Sequence, residues 1–381
     1  MANTYKGNTI ANLRPDQIDD LVATTMEFMI AKGKFTNLLS DLNDYVAVRE
    51  LMANHKKVFQ GGMDWTFNVA IASDNTGNGS AKFTKLFDTD SGNRVDVIKK
   101  GKVGPRYVTA SYYYDLREPA LNSGEMVQRI NFIREQMSLM YQSFYNLMEQ
   151  TFWGSPTYAT DDVTPAGIKF WIQRQANGSG THGAGTNPMG GFDGMDPSLP
   201  ASEADSTATS VSRANHSSGT NARRANRAAQ YADVSKADLV KKMRYAARKT
   251  DFKSPLNLAE PKLGKGRAIY CGIDTLTALE DLLEAQNMNL GNDIAAKDGK
   301  TLFKGNPVYH VPYLDDDAQD PVYMIDWSTL VLGILAGWDK RVSKPMEVAN
   351  SHNVRQVFLD ASLNFVCTNL RNQAVIAKAF S

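Results

Sequence analysis

Residues 123–153 read SGEMVQRINFIREQMSLMYQSFYNLMEQTFW, and this stretch carries the strongest structural signal in the chain. Its apolar residues recur in alternating four- and three-residue steps, the spacing that places side chains on one face of an α-helix. The seam consists of Met126, Ile130, Ile133, Met137, Met140, Phe144 and Leu147. Ser123 is a candidate N-cap, and the Gly-Ser-Pro triplet at 154–156 ends the pattern. The helix would be about 45 Å long. Its seam has no ligand-type side chain, so we interpret it as a scaffold element.

The residues before this helix change from helical to strand periodicity. Amphipathic helices are predicted from Pro15 to about Gly33 and over residues 36–54. Apolar and polar residues alternate over residues 65–71, which indicates a half-buried strand. Residues 81–89 and 95–108 are β-compatible and flank a turn at 90–93, so they predict a long hairpin, and residues 107–116 continue as an aromatic strand.

The chain after the long helix has two parts. Residues 177–226 are dominated by Gly, Ser, Thr, Asn and Ala, a composition that predicts an exposed surface insertion. A basic helix is predicted at 236–249, and from residue 267 strand and helix patterns alternate to the C-terminus. We therefore predict a compact mixed domain in an α+β protein.

The composition excludes several classes of protein. Of the 381 residues, 42% are hydrophobic and 22% charged, and the net charge is +1, a balance typical of a globular protein and not of a histone-like binder. Cys271 and Cys367 form no zinc or disulfide pattern. No signal peptide or membrane span is predicted, so we expect no contact with a membrane.

The motifs that could carry catalysis or cofactor binding fail on their context. Residues 178–183 fit G-x-G-x-x-G but lack the flanking strand and helix of a nucleotide site. The five histidines have no metal-ligand spacing, and the acidic run Asp315, Asp316, Asp317 has no calcium-loop pattern. We predict no catalytic, cofactor-binding or metal-binding residues, and no enzyme activity.

A cluster of cations has two open interpretations. Its members are Arg223, Arg224, Arg227, Lys241, Lys242, Arg244, Arg248 and Lys249. Positive surface alone is enough to neutralise phosphates, so the cluster could face packaged nucleic acid. A solvated or inter-subunit helix face is the simpler alternative.

Several short phrases, taken in their order, resemble one family. They are EQTFWG at 149–154, PAGIKFW at 165–171, TLFKGNPVYHV at 301–311 and NLRNQAV at 369–375. With the order of predicted elements, they resemble the major capsid proteins of tailed bacteriophages, whose Johnson fold is shared with encapsulin shells. The resemblance implies an N-terminal arm, an extended β-hairpin loop, a long spine helix, and peripheral and axial domains.

The resemblance also implies a division of the chain. The arm would be residues 1–62, and peripheral-domain strands with the extended loop (about 72–102) would occupy 63–122. The spine helix and peripheral domain would follow at 123–176, the polar insertion at 177–226 and a mainly axial domain at 227–350. C-terminal strands at 351–381 would return to the core. The insertion has no obvious counterpart in compact members of the family.

By this resemblance the chain is a structural subunit of an icosahedral phage head. Copies of it would form hexamers and pentamers that assemble in the host cytoplasm and enclose packaged double-stranded DNA in the virion capsid. The expected partners are a separate scaffolding protein, a portal protein, an optional decoration protein, and DNA by non-specific contact. The basic loop would contact neighbouring subunits through Lys82, Lys85, Arg94, Lys99, Lys100, Lys102 and Arg106. The acidic residues Asp315, Asp316, Asp317 and Asp320 would be their candidate partners.

Two alternatives stay open at this point. An encapsulin-like shell that encloses a cargo enzyme would give the same sequence pattern. A hydrolase with unrecognised catalytic residues is the second, although no motif with mechanistic spacing supports it.

Overall fold

The computed structural model describes residues 45–62, 65–70, 86, 98–117, 126–154, 156, 163–172, 212–213, 226–250, 266–287 and 301–378. The first predicted helix, Ser123 and most of the polar insertion therefore lie outside the described residues. The described α-helices are α1 (Val46–Asn54), α2 (Met126–Trp153), α3 (Ile168–Trp171), α4 (Leu239–Lys249) and α5 (Ile273–Asn287). Short 3₁₀ turns occur at Pro312–Leu314 and Leu370–Asn372.

The strands form two large sheets and one hairpin. They are β1 (Lys56–Phe59), β2 (Trp65–Ala70), β3 (Ile98–Val103), β4 (Arg106–Asp115), β5 (Ser212–Arg213), β6 (Arg227–Tyr231), β7 (Arg267–Cys271), β8 (Leu302–Phe303), β9 (Asn306–His310), β10 (Val322–Asp326), β11 (Leu330–Leu335), β12 (Arg341–Val342), β13 (Met346–Val348), β14 (Ser351–Cys367) and β15 (Ala374–Lys378). Helices and mixed sheets together confirm the predicted α+β class.

The six-stranded sheet is organised by β14, a single strand of 17 residues. One of its edges pairs in turn with β11, β12 and β13, and its other edge pairs antiparallel with β4 over ten residues. β1 adds to β11 in parallel. The predicted aromatic strand at 107–116 is thus confirmed as β4, and its alternating pattern decides which face is buried.

The seven-stranded sheet has the order β5-β6-β15-β10-β7-β9-β8. One face packs, with α1, α2 and the six-stranded sheet, into the main core. The other face is covered by α4 and α5, which build a second core. The main core is therefore shared between both sheets.

Sheet membership adds detail at two of the predicted boundaries, while the domain division itself stays a prediction. The predicted axial segment 227–350 divides after Asp326, because β11, β12 and β13 join the six-stranded sheet with β14. Asn226, the last residue of the predicted surface insertion, is fully buried, and β5 within that insertion pairs with β6. Composition alone could not reveal these long-range pairings.

The long helix is confirmed as α2, 28 residues or about 42 Å at 1.5 Å per residue. Met137, Met140 and Phe144 of the predicted seam are buried. Leu147 is wrongly assigned, because it is 47% exposed and Met148 is buried instead. A straight α-helix has 3.6 residues per turn, so the buried stripe drifts away from a strict 3.5-residue seam.

Candidate functional site

The predicted basic residues do not all lie on one element. Lys82, Lys85 and Arg94 lie outside the described residues. In β3, Lys99 is opposite Val69, Lys100 is opposite Asn68 and Lys102 is opposite Thr66 of β2. Arg106 is different, because it begins β4 opposite Leu363 in the six-stranded sheet.

The hairpin around β3 also differs from its prediction. The sequence suggested one strand over residues 95–108 paired with residues 81–89, of which only Leu86 is described. The described partner of β3 is β2, and Gly104-Pro105 separates β3 from β4. Proline has no N–H to donate to a ladder, so this break has a sequence signal that the strand pattern concealed.

The base of the β2–β3 hairpin is clamped to the six-stranded sheet. Trp65 is buried and stacks on Phe59 of β1, with ring centroids 4.3 Å apart. Gly333 of β11 leaves the space for this pair, because an added Cβ there would lie 2.5 Å from Trp65 Cζ3 and 2.9 Å from Phe59 Cε2. The hairpin therefore leaves the sheet from a fixed position.

A buried asparagine fixes the same junction from the other side. The Asn364 side chain donates to Gly104 O at 2.6 Å, just after β3. Its Oδ1 accepts from Ala166 N at 2.9 Å and from Phe365 N at 2.8 Å. One side chain thus holds together the end of the hairpin, the loop before α3 and β14.

The C-terminal end of α2 connects the two large sheets. The Phe152 ring stacks on the Trp327 ring with centroids 5.7 Å apart, and it contacts the Phe365 ring of β14 edge-on with centroids 5.1 Å apart. The Trp153 ring packs against the rings of Tyr270 in β7 and Tyr323 in β10, with centroid distances of 5.4 Å and 6.0 Å. The phrase EQTFWG, quoted for its family resemblance, therefore forms the central joint of the molecule.

Within this joint Glu149 is fully buried. Its carboxylate accepts hydrogen bonds from Ala47 N at 3.0 Å, Val48 N at 2.7 Å and Trp153 Nε1 at 2.7 Å. Burial raises the pKa of this carboxyl above its usual range, while the three N–H donors act in the opposite direction. The carboxylate ties the start of α1 to the end of α2, a role that no local pattern in the sequence indicated.

The phrase PAGIKFW packs beside this joint. A Cβ on Gly167 would lie 2.3 Å from the carbonyl oxygens of both Gly154 and Thr151, so only glycine fits there. Ile168, Phe170 and Trp171 are buried after it. The loop at Gly167 therefore packs directly against the C-terminal end of α2.

The acidic residues predicted as cross-subunit partners are mostly engaged within the chain. Asp315 accepts from Ile273 N at 2.8 Å and bonds His310 Nε2 at 2.8 Å. Asp317 pairs with Lys169 at 3.1 Å, and Asp320 pairs with Lys378. Three of the four residues thus have partners within their own chain, and their contact with a neighbouring subunit stays a prediction.

One exposed surface was not predicted from the sequence. On β4 the residues Tyr107, Thr109, Ser111 and Tyr113 point away from the core, and the two tyrosines are 74% and 54% exposed. Across the ladder, Gln356 donates to Tyr113 Oη at 2.6 Å, and Thr109 donates to Asp360 at 3.0 Å. We call this the open face of the six-stranded sheet. The same alternation that predicted the strand also marked its exposed aromatic residues.

Metal-binding side chains and reactive thiols were the other candidates for a functional site. They contain no group of three or more His, Cys, Asp or Glu side chains that could hold a metal ion. Burial raises the pKa of the Cys271 thiol to about 12, which leaves it an unreactive core side chain. Of the described helices, none combines the length and the apolar character needed to cross a bilayer.

The fold that these elements build, with its long helix, clamped hairpin base and two sheets, is that of a phage capsid protein of known structure. The capsid asymmetric unit of cyanophage A-1(L) aligns with 90% of this chain and 94% of its own, at 13% identity and a TM-score of 0.52. A structure from Mycobacterium phage Bobi aligns with 93% and 99% of the two chains at 11% identity and a TM-score of 0.49. The capsid of the native GTA particle aligns with 91% and 94% at 11% identity and a TM-score of 0.48. No family model and no curated protein sequence matches this chain.

Proposed function

We propose that this chain is the structural subunit of an icosahedral phage head, and that it acts by self-assembly and not by catalysis. Copies would form hexamers and pentamers, assemble in the host cytoplasm and enclose double-stranded DNA in the virion. The observation that carries the proposal is the fold, which resembles that of the cyanophage capsid along nine-tenths of the chain.

The internal geometry supports this proposal physically. A shell subunit needs a rigid body, because the same contact is repeated at every copy and errors in angle accumulate. Here the joint of Glu149, Phe152 and Trp153 connects both sheets and α1. The Trp65–Gly333 clamp in turn fixes where the hairpin leaves this body.

Contacts between copies are proposed at two places. The first is the extended hairpin with Lys82, Lys85, Arg94, Lys99, Lys100 and Lys102, with Arg106 beside its base. The second is the open face, whose exposed Tyr107 and Tyr113 give apolar area on the six-stranded sheet. A scaffolding protein, a portal protein and a decoration protein are proposed as further partners.

Electron microscopy of the purified chain, alone and with a scaffolding protein from the same source, tests the proposal. Rings or closed shells with five- and six-fold units are expected. A chain that remains monomeric at high concentration even with the scaffold would contradict it. Particles that contain a cargo protein in place of DNA would instead support the encapsulin-like alternative.

A further inference from the structure

Helix α4 has two chemically different faces. Leu239, Met243 and Ala246 are buried in the second core. Lys241, Arg244 and Arg248 are exposed, and their spacing of three and four residues puts them on one stripe of the helix. The exposed stripe is therefore a row of cations.

A fourth cation reaches this row from another element. Lys304 lies in the two-residue turn between β8 and β9, where it and Gly305 have positive φ values of 49° and 78°. Its neighbour Phe303 packs against the same core as Leu239 and Met243 of α4, and burial and then the charges of Arg248 and Arg244 lower the pKa of Lys304. We call Lys241, Arg244, Arg248 and Lys304 the α4 cation cluster.

The charge of this cluster is not compensated within the described part of the chain. The neighbouring Lys242 is buried, pairs with Asp238 and donates to Gln230 O. Among the described residues, by contrast, no carboxylate forms an ion pair with Arg244, Arg248 or Lys304. Within the described residues, the buried cation of α4 therefore has a carboxylate partner and the exposed cations of the cluster do not.

The spacing of the cluster favours a polyanion with closely repeated charges. From Lys241 to Arg248 the helix rises about 10 Å. Phosphates of one strand of duplex DNA follow one another every 3.4 Å or so along the axis, so about three phosphates fit beside the row.

We propose that the α4 cation cluster binds the phosphate backbone of double-stranded nucleic acid without reading its sequence. This inference rests on the proposed function in one respect, since the enclosed DNA would be the polyanion that the cluster meets. It takes up the phosphate-binding interpretation of the basic segment, and it assigns that role to four named side chains.

The test is a titration of a labelled DNA duplex with the purified unassembled chain, followed by fluorescence anisotropy at a series of salt concentrations. The test variant replaces Arg244, Arg248 and Lys304 with Gln. The matched control replaces Lys57, Arg341 and Lys344 with Gln, which removes the same charge from exposed positions outside the cluster. A third variant, Arg244→Lys with Arg248→Lys, retains the charge.

Each phosphate contact contributes about 0.9 to the slope of log affinity against log salt. The cluster variant should therefore lose about 2 to 3 from this slope, whereas the control and the lysine variant should retain the wild-type slope. An equal loss in cluster variant and control would overturn the proposal, because bulk charge would explain it. A wild-type slope in the cluster variant, together with loss of shells in the microscope, would also overturn it and identify the cluster as a protein-binding surface. Shell formation is scored separately, so failure of the proposed function is distinguishable from failure of this inference.

Discussion

At the scale of single residues, buried polar groups explain more of this structure than the charges that stand out in the sequence. Glu149 and Asn364 are fully buried, and each joins segments that are far apart in the chain. Nothing in the local pattern distinguishes Glu149 from its exposed neighbour Gln150. Its role depends on α1 returning to the end of α2, which only the folded chain specifies.

The first prediction concerns Glu149→Leu. Two backbone N–H groups, those of Ala47 and Val48, would lose their acceptor in the core. Each buried unsatisfied donor costs about 1 to 3 kcal/mol, so the free energy of unfolding should fall by about 2 to 6 kcal/mol. Urea denaturation of the unassembled subunit measures it. The control Gln150→Leu should change stability by less than about 0.5 kcal/mol.

The pH dependence of the same site has a definite sign. Because the pKa of Glu149 in the folded chain is raised above its ordinary value of 4.5, the folded state retains a proton that the unfolded state has lost. Its contribution to stability is therefore fully present below about pH 4.5 and declines as the pH rises through the folded pKa. The stability difference between wild type and Glu149→Gln should decline over that window. A difference that grew with pH would mean that the N–H donors outweigh burial.

The second prediction concerns Gly333→Ala. The new methyl group would overlap Trp65 and Phe59, so overpacking should destabilise the subunit by about 1 to 3 kcal/mol. A double-mutant cycle with Trp65→Leu provides the control, because the smaller side chain relieves the overlap. If the destabilisations by Gly333→Ala and Trp65→Leu add within about 0.5 kcal/mol, overlap with Trp65 is not the cause of the Gly333→Ala destabilisation.

At the scale of elements, periodicity predicted the type and buried face of each element, and long-range pairing decided which elements are neighbours. The stripes of α2 and β4 and the strands and helices after residue 267 were predictable from local spacing. The pairing of β3 with β2 was not, because a strand's pattern fixes its buried face and not its partner. The exposed cations of α4 were visible in the sequence, but Lys304 joins them only through the fold.

The third prediction concerns the hairpin element. Replacing Lys99, Lys100 and Lys102 with Glu should change the unfolding free energy little, since the sequence predicts a solvent-facing hairpin and exposed charges contribute about 0 to 1 kcal/mol each. Assembly at low salt should fail, because the same repulsion would be repeated at every subunit. Circular dichroism and light scattering measure the two effects. The control is the same Lys-to-Glu exchange at Lys57, Lys236 and Lys344. If the hairpin variant assembles like wild type, the hairpin does not take part in the proposed contact between subunits.

At the scale of the whole molecule, the chain separates the surfaces that hold it together from those left for other molecules. The main core is shared by both sheets, and the acidic residues around Asp315 are mainly used within the chain. The open face and the α4 cation cluster remain exposed. This division suits the proposed self-assembling subunit, because its stability and its association can then be altered independently.

The last prediction tests that independence on the open face. Tyr107→Thr with Tyr113→Thr removes two exposed aromatic rings while threonine still favours a strand, so the unassembled subunit should unfold within about 1 kcal/mol of wild type. If each contact between copies loses about 1.4 kcal/mol of apolar burial, the critical concentration for assembly rises about tenfold. Light scattering across a concentration series measures this, and the pair Tyr107→Phe with Tyr113→Phe, which retains the rings, should assemble like wild type. A threonine variant with the wild-type critical concentration would mean that the open face lies outside the contacts between subunits, and the apolar driving force for assembly would then have to come from another surface.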